Sequence, residues 1–263
     1  MSIHASGSAD LEVLPLPAFN DNYIWVLVRD RKVAVVDPGD ATVVEDFLAR
    51  TGFHLTAILI THHHTDHTGG IHALTERHAV PVFGPAAANI SGVTVGVSEG
   101  DQVALPEHAL SLTVLEVPGH TKTHIAFYAP GLLFPGDTLF SAGCGRVLGG
   151  TIEQLHRSLE RLKTLPGDSR VYGGHEYTLA NLRFARAAEP DNPERDAWFA
   201  HCERLRAENK PTLPSTMDQE VLINPFLRTD SPEILASLER HTGKRPHDSQ
   251  ACFSALRAWK DVF

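Results

Sequence analysis

The sequence predicts an α/β protein: a sandwich of mixed sheets up to about residue 176, followed by a helical C-terminal part. Three observations carry that expectation. Strand-like and helix-like pieces alternate through the first part. Several strand candidates are hairpin-like neighbours, which favours mixed sheets over a purely parallel one. After Glu176 the remaining segments read as amphipathic helices, several opened by Ser, Asn or Asp with Pro near the first turn. Two domains are therefore expected, residues 1–176 and 177–263.

In chain order, "KVAVVDPG" at 32–39 is a β-branched run stopped by Pro-Gly, "ATVVEDFLART" has helical spacing, and "LTAILI" reads as a buried strand. A helix is expected at roughly 70–78, then short strands around "VPVFG", "LSLTVLEVPG", "HIAFYAP" and "LLFPGD". The helix "TIEQLHRSLERLKTLPG" precedes the strand "RVYGG". The later helices are "YTLANLRFARAAEP", "NPERDAWFAHCERLRAENK", "SPEILASLERHTG" and "DSQACFSALRAWKDVF". Neither part contains a repeat or a low-complexity tract.

Composition, 42% hydrophobic and 21% charged, is that of a soluble globular chain. A formal net charge of −9 without long blocks of like charge gives no electrostatic footprint for nucleic acid, although a local basic pocket for a small acidic substrate remains compatible with it. Cys144, Cys202 and Cys252 are too widely and irregularly spaced for a disulfide framework or a thiolate zinc knuckle, which points to a reducing compartment. "MSIHASGSAD" lacks the parts of a signal peptide, and no apolar run approaches the ~20 residues that span a bilayer. A cytoplasmic monomer with a short frayed N-terminal tail is the expectation, without nucleic-acid or membrane partners.

The stretch "ILITHHHTDHTGG" at 58–70 is the strongest chemical signal. His62, His64, Asp66 and His67 follow a strand within six residues, and such crowded imidazoles repel when protonated and lose solvation when buried unless a metal pairs with them. A tight loop around one or two cations is the geometry that uses all four. His63 alternates with His62 and His64 and is assigned away from the metals.

Three further strand ends repeat one pattern: Gly then His120, Gly then Asp137, and Gly-Gly then His175. Glycine lets the backbone turn sharply, so each presents a ligand-type side chain at a strand terminus. The ligands sort into His62, His64 and His120 for one site and Asp66, His67 and His175 for the other, with Asp137 bridging. Imidazole and carboxylate ligands without thiolates suit zinc first, then iron or manganese, in a dinuclear centre. Two cations sharing a water lower its pKa and hold a bridging hydroxide as nucleophile, and no Ser-His-Asp set or nucleophile elbow competes for that role. Asp66 and Asp137 are the carboxylates expected at the catalytic heart.

The His-x-His-x-Asp-His motif at 62–67 with His120, Asp137 and His175 resembles the metallo-β-lactamase superfamily, which implies an αββα sandwich. Asp37 in "VVDPG" is similar to that family's acidic residue behind the metal loop, a support and not a ligand. From about residue 13 to the end the chain resembles the glyoxalase II (hydroxyacylglutathione hydrolase) family in "PAFNDNYIWVL", "THHHTDHTGG", "PGHTKTHI", "FPGDTLFSAGCGR", "GGHEYT", "NPFLR" and "LRAWKD".

That resemblance implies hydrolysis of the thioester S-D-lactoylglutathione to D-lactate and glutathione, the second step of methylglyoxal detoxification. It also implies glutathione contacts from Arg146, Tyr177, Arg257 and Lys260, the last two reaching one carboxylate from a shared helix face. Leu148 departs from the family pattern, which carries an aromatic residue there, so one hydrogen bond to glutathione is expected to be missing. The rival readings are a superfamily hydrolase acting on a lactone, a lactam or RNA, and a zinc-binding protein without turnover. Cys144, His124, Asn22 and Tyr23 are read as packing, structural or turn residues.

Overall fold

Strands β1 (Glu12–Ala18) and β2 (Asn22–Arg29) pair as an antiparallel hairpin, and β2 is buried at every position but its last. A strand that never alternates inside and outside must be covered on both faces. In this computed structural model, which describes residues 10–263, the chain forms two units: residues 10–116 with 123–136, and residues 117–122 with 137–263. The N-terminal tail expected to fray lies outside the described residues.

In the first unit, β3 (Lys32–Val36) extends the hairpin antiparallel to β2. Helix α1 (Ala41–Thr51), capped by the Asp40 carboxylate on the Thr42 amide, then crosses over so that β4 (His54–Leu59) joins β3 in parallel. After α2 (Thr65–Thr68) and α3 (Ile71–Arg77), β5 (Val82–Pro85) and β6 (Val95–Val97) complete the sheet in parallel. The sheet is thus mixed, as the pattern predicts. Ile24, Val26, Val33 and Val35 on one face form a core with Phe47 of α1 and Leu74 of α3. Burying each such side chain is worth about 1.5–3 kcal/mol, enough to set the strand register. The alternate set, including Trp25, Leu27 and Val36, is equally buried. An antiparallel meander of β7 (Gln102–Leu105), β8 (Leu110–Glu116), β9 (Ile125–Ala129) and β10 (Leu132–Gly136) supplies the unit's other strands.

The second unit opens its strands with a short hairpin, β11 (Leu139–Phe140) against β12 (Gly143–Cys144). Helix α4 (Ile152–Lys163) begins with a capping box between Thr151 and Gln154. Strand β13 (Arg170–Gly173) precedes α5 (Thr178–Ala188) and α6 (Pro193–Ala207), the latter capped by Asn192 with Pro193 at its first position. Strand β14 (Ser215–Thr216) pairs with β13, then α7 (Met217–Ile223), α8 (Pro232–Thr242) and α9 (Ser249–Val262) follow. A core of Leu182, Ala185, Phe199, Cys202 and Ile223 closes around Ala142 at the tip of the β11–β12 hairpin.

The four helices read after Glu176 are present as α5, α6, α8 and α9, and α7 is additional. Among the described residues no helix is long and apolar enough to cross a membrane.

Candidate metal centre

The first unit contributes the histidine loop. Strand β4 ends at Leu59 and delivers His62, fully buried, beside Asp37 at the end of β3. Asp37 stands in the left-handed region at φ 54°, a strained conformation for a side-chain-bearing residue that is held by its bonds. Its Oδ1 accepts from the Thr61 amide at 2.8 Å, and its Oδ2 accepts from the Thr61 hydroxyl at 2.7 Å and His67 Nδ1 at 3.0 Å. Asp37, His62 and His67 bring ligand atoms within 4.8 Å of one another, yet three donors already occupy the Asp37 oxygens.

Asp66 and His67 sit on the single helical turn α2, with His64 at its N-terminal boundary, where a tight loop is expected from the sequence. The turn is held against the Pro38–Gly39 bend so closely that a Cβ on Gly39 would lie 1.9 Å from the Asp66 carbonyl oxygen. His63 is exposed, pointing away as expected. His124 is buried and stacks on His62, ring centroids 4.5 Å apart. Asn22, read from "NDNY" as a turn residue, instead donates from Nδ2 to Asp66 Oδ2 at 2.9 Å. Nothing local in the sequence signals that contact, which joins positions 44 residues apart.

The second unit brings together His120, Asp137 and His175. A single oxygen, Asp137 Oδ2, lies 3.5 Å from His120 Nε2 and 3.3 Å from His175 Nε2. His120 Nδ1 donates to the Arg146 carbonyl at 2.7 Å, which aims its Nε2 at Asp137. His175 stacks on Tyr177, centroids 4.7 Å apart and nearly parallel.

These spacings test whether a metal fits. Two ligands on bonds of ~2.0–2.1 Å at a tetrahedral angle stand ~3.3–3.4 Å apart. The observed separations are 3.5 and 3.3 Å around Asp137, 3.4 Å from His67 Nε2 to Asp66 Oδ2, and 3.1 Å from His62 Nε2 to His64 Nδ1. The three imidazole–carboxylate separations match the edge of a coordination polyhedron and are longer than an ordinary hydrogen bond to a carboxylate, ~2.7–2.9 Å, while the His62–His64 pair is close enough to share a hydrogen bond. The residues fit divalent metal.

Two of the expected glutathione contacts, Arg146 and Arg257, meet at Asp261. Arg146 is exposed, with Nε 3.9 Å from Asp261 Oδ1. Arg257 is 2% exposed, its Nη2 3.0 Å from the same oxygen and its Nη1 donating to the Cys144 carbonyl at 3.1 Å. Arg257 is therefore packed inside the protein and not displayed on a solvent-facing helix surface. Lys260 is half-buried over the Phe184 ring, and burial together with Arg257 lowers its ammonium to about 8. Tyr177 is half-buried and Leu148 is 60% exposed. Cys144 is a buried strand residue whose thiol is raised by burial, in keeping with a packing role.

Comparison with known proteins decides the family. The metallo-beta-lactamase superfamily model matches residues 18–175, and the model of the hydroxyacylglutathione hydrolase C-terminus matches residues 176–263. A hydroxyacylglutathione hydrolase of Chromohalobacter salexigens is 55% identical over 258 residues, covering 96% of this chain and 100% of that protein. The chain belongs to the hydroxyacylglutathione hydrolase family. Another member, from Cupriavidus taiwanensis, is 51% identical over 265 residues, covering 96% of this chain and 99% of that one. Among solved structures, ETHE1 from Myxococcus xanthus superposes with a TM-score of 0.63 at 26% identity, covering 95% of this chain and 99% of that chain. A protein solved in a di-iron-bound form superposes at 0.57 with 26% identity, covering 82% of this chain and 100% of that one. The fold is that of the metallo-β-lactamases with a C-terminal helical region, and this family member is a metal-dependent hydrolase.

Proposed function

We propose that the protein hydrolyses S-D-lactoylglutathione to D-lactate and glutathione at a dinuclear centre, with His62, His64 and His120 on one ion, Asp66, His67 and His175 on the other, and Asp137 bridging. The observation that carries this reading is the Asp137 oxygen flanked by two imidazole nitrogens at 3.5 and 3.3 Å, in a chain of this family. Zinc is the proposed metal, with iron or manganese able to use the same imidazole and carboxylate set.

Two ions held by these residues would supply a water of lowered pKa and a Lewis acid for the thioester carbonyl. The chain's own residues hold that arrangement in place. Asp37 keeps the proton of His67 on Nδ1, the Arg146 carbonyl does the same for His120, and Asn22 restrains Asp66. The leaving glutathione thiolate has an ordinary thiol pKa of ~8.5, so it departs without a strong acid from the protein. Arg146, Tyr177, Arg257 and Lys260 are proposed to bind the glutathione moiety. In this division of labour residues 1–176 carry the metals and Arg146, and 177–263 supply the other substrate contacts. The free cysteines Cys144, Cys202 and Cys252, all buried, are consistent with a reducing cytoplasmic setting.

The test is a metal-quantified assay of thiol release from S-D-lactoylglutathione beside a lactam, a lactone and an RNA. Turnover of the thioester above the other three supports the reading, and preference for any other substrate overturns it.

A further inference from the structure

The segment between Asp137 and Arg146 is a hairpin with the metal-ligand carboxylate at its base and a tip sunk among helices. At the base, Gly145 passes so near Asp137 that a Cβ would stand 2.0 Å from the Asp137 carbonyl oxygen, and the next carbonyl, that of Arg146, accepts from His120. The side chain of Arg146 leaves from the same point. Any shift of the hairpin therefore moves a bridging carboxylate, the orientation of a ligand imidazole and a substrate-facing guanidinium together.

The tip is held from several sides. Asn181 of α5 donates to the Ser141 carbonyl at 3.0 Å, and Trp198 of α6 donates to the Ser141 hydroxyl at 3.2 Å. Asn224, just after α7, donates from one amide nitrogen to the carbonyls of Phe140 at 3.2 Å and Gly143 at 3.0 Å. Glu220 of α7 accepts from the Ala142 amide at 2.8 Å and from Asn224 at 3.1 Å through one oxygen, Oε2. Ala142 itself stands at φ 55°, a conformation an alanine keeps only when its surroundings impose it.

Glu220 has no exposure, and burial raises its carboxyl above the usual range. A carboxyl group in the interior is costly unless its oxygens hold something in place, and an apolar residue would fill the same space at lower cost. What its Oε2 holds is the strained amide of the hairpin tip.

We propose that Glu220 and Asn224 are positioning residues for the hydrolysis, which lock the Ser141–Ala142 tip and so fix the register in which Asp137, His120 and Arg146 meet at the hairpin base. The kinetic part of this inference rests on the hydrolase reading above. Neither residue touches substrate, and both act through the hairpin.

The test compares full-length, metal-loaded Glu220→Gln, Glu220→Ala and Asn224→Ala, with kcat, KM, metal content and melting temperature measured for each, and amide hydrogen exchange read at Ala142 and Gly145. Glutamine retains an oxygen acceptor for the Ala142 amide, so its kcat/KM should stay within about twofold of wild type, while both alanine variants should lose about tenfold or more while still folded. Exchange at Ala142 and Gly145 should quicken in the alanine variants and not in the Gln variant. Should the alanine variants fail to fold, Trp198→Phe removes only the bond to the Ser141 hydroxyl and should show faster exchange at Ala142 with an intact core. Folded alanine variants with wild-type kcat/KM, or with unchanged exchange at Ala142 and Gly145, overturn the proposal. If the wild-type protein leaves the thioester intact, the substrate reading fails, and the exchange measurement still decides the role of Glu220 and Asn224.

Discussion

Asp37 and His67 share a hydrogen bond of 3.0 Å, from His67 Nδ1 to Asp37 Oδ2, and that oxygen also accepts from Thr61 Oγ1 at 2.7 Å. Because the Thr61 hydroxyl gives its proton to Asp37, its oxygen accepts from His62 Nδ1, 3.0 Å away. One carboxylate thus sets the tautomer of two proposed ligands, leaving both Nε2 atoms to ligate.

Asp37→Ala should therefore weaken metal binding by about 10–100-fold, the usual consequence of removing a ligand's supporting partner. Titration with a competing chelator measures it. Wild-type metal affinity in the variant would contradict the support role.

Asp137 and Arg146 end the same hairpin, and they are proposed to hold different partners, metal and substrate. Asp137→Ala should abolish turnover and release metal, whereas Arg146→Ala should raise KM with kcat largely retained, the pattern of lost uniform binding. Steady-state kinetics with elemental analysis separates them, and equal mild losses in both variants would count against the assignment.

The proposed metal ligands are legible because a strand followed by His-x-His-x-Asp-His concentrates chemistry in one local stretch, and the mixed sheet is legible because its strands have distinct hydrophobic runs. Contacts between distant segments left no such trace. Asn22 looks like a turn residue and reaches Asp66 only once β2 and the metal loop are folded. Glu220 sits on an ordinary amphipathic helix, and its meeting with the Ala142 amide, 78 positions away, has no sequence pattern. Arg257 and Lys260 have the spacing of a solvated helix face, yet tertiary packing buries Arg257 against Asp261 and Cys144. The strands β11, β12 and β14 are two residues each, too short to show a period.

As a proposed glutathione contact, Lys260 should make substrate binding depend on pH. Burial, then repulsion from Arg257, lowers it from 10.5 to about 8, so the pull proposed for it on a glutathione carboxylate would be complete only well below that value and would fade above it. KM should rise between about pH 7 and about pH 9, and Lys260→Arg, charged throughout, should flatten that rise. For stability the sign is opposite: burying the charge costs the folded state most below about 8, and the cost is relieved as pH climbs toward 10.5. A wild-type KM that is flat across this range would remove Lys260 from the binding site.

The Arg257→Ala, Lys260→Ala double variant should raise KM for S-D-lactoylglutathione with a smaller change in kcat. Wild-type kcat/KM should fall with added salt, and the double variant should respond less. An unchanged KM in a folded, metal-loaded double variant would remove the C-terminal helix from glutathione binding.

Glu189 gives an acid limit to stability. Burial alone pushes its carboxyl up, but hydrogen bonds from Arg228, Asn192 and Ser231 outweigh this and hold it below 4.5. Its contribution is present above the unfolded value and lost as pH falls through the folded one. Glu189→Gln should cost about 1.5–3 kcal/mol near neutrality, with the gap to wild type narrowing in acid. Denaturant melts at both pH values would show it, and a pH-independent gap would contradict it.

The most direct test of the whole account is a metal titration of the apoprotein, followed by thiol release from S-D-lactoylglutathione. A dinuclear thioesterase predicts activity that climbs to a plateau at two equivalents of metal per chain, matched by two bound ions. Full activity at one equivalent, or no turnover of the thioester with two ions bound, would contradict it.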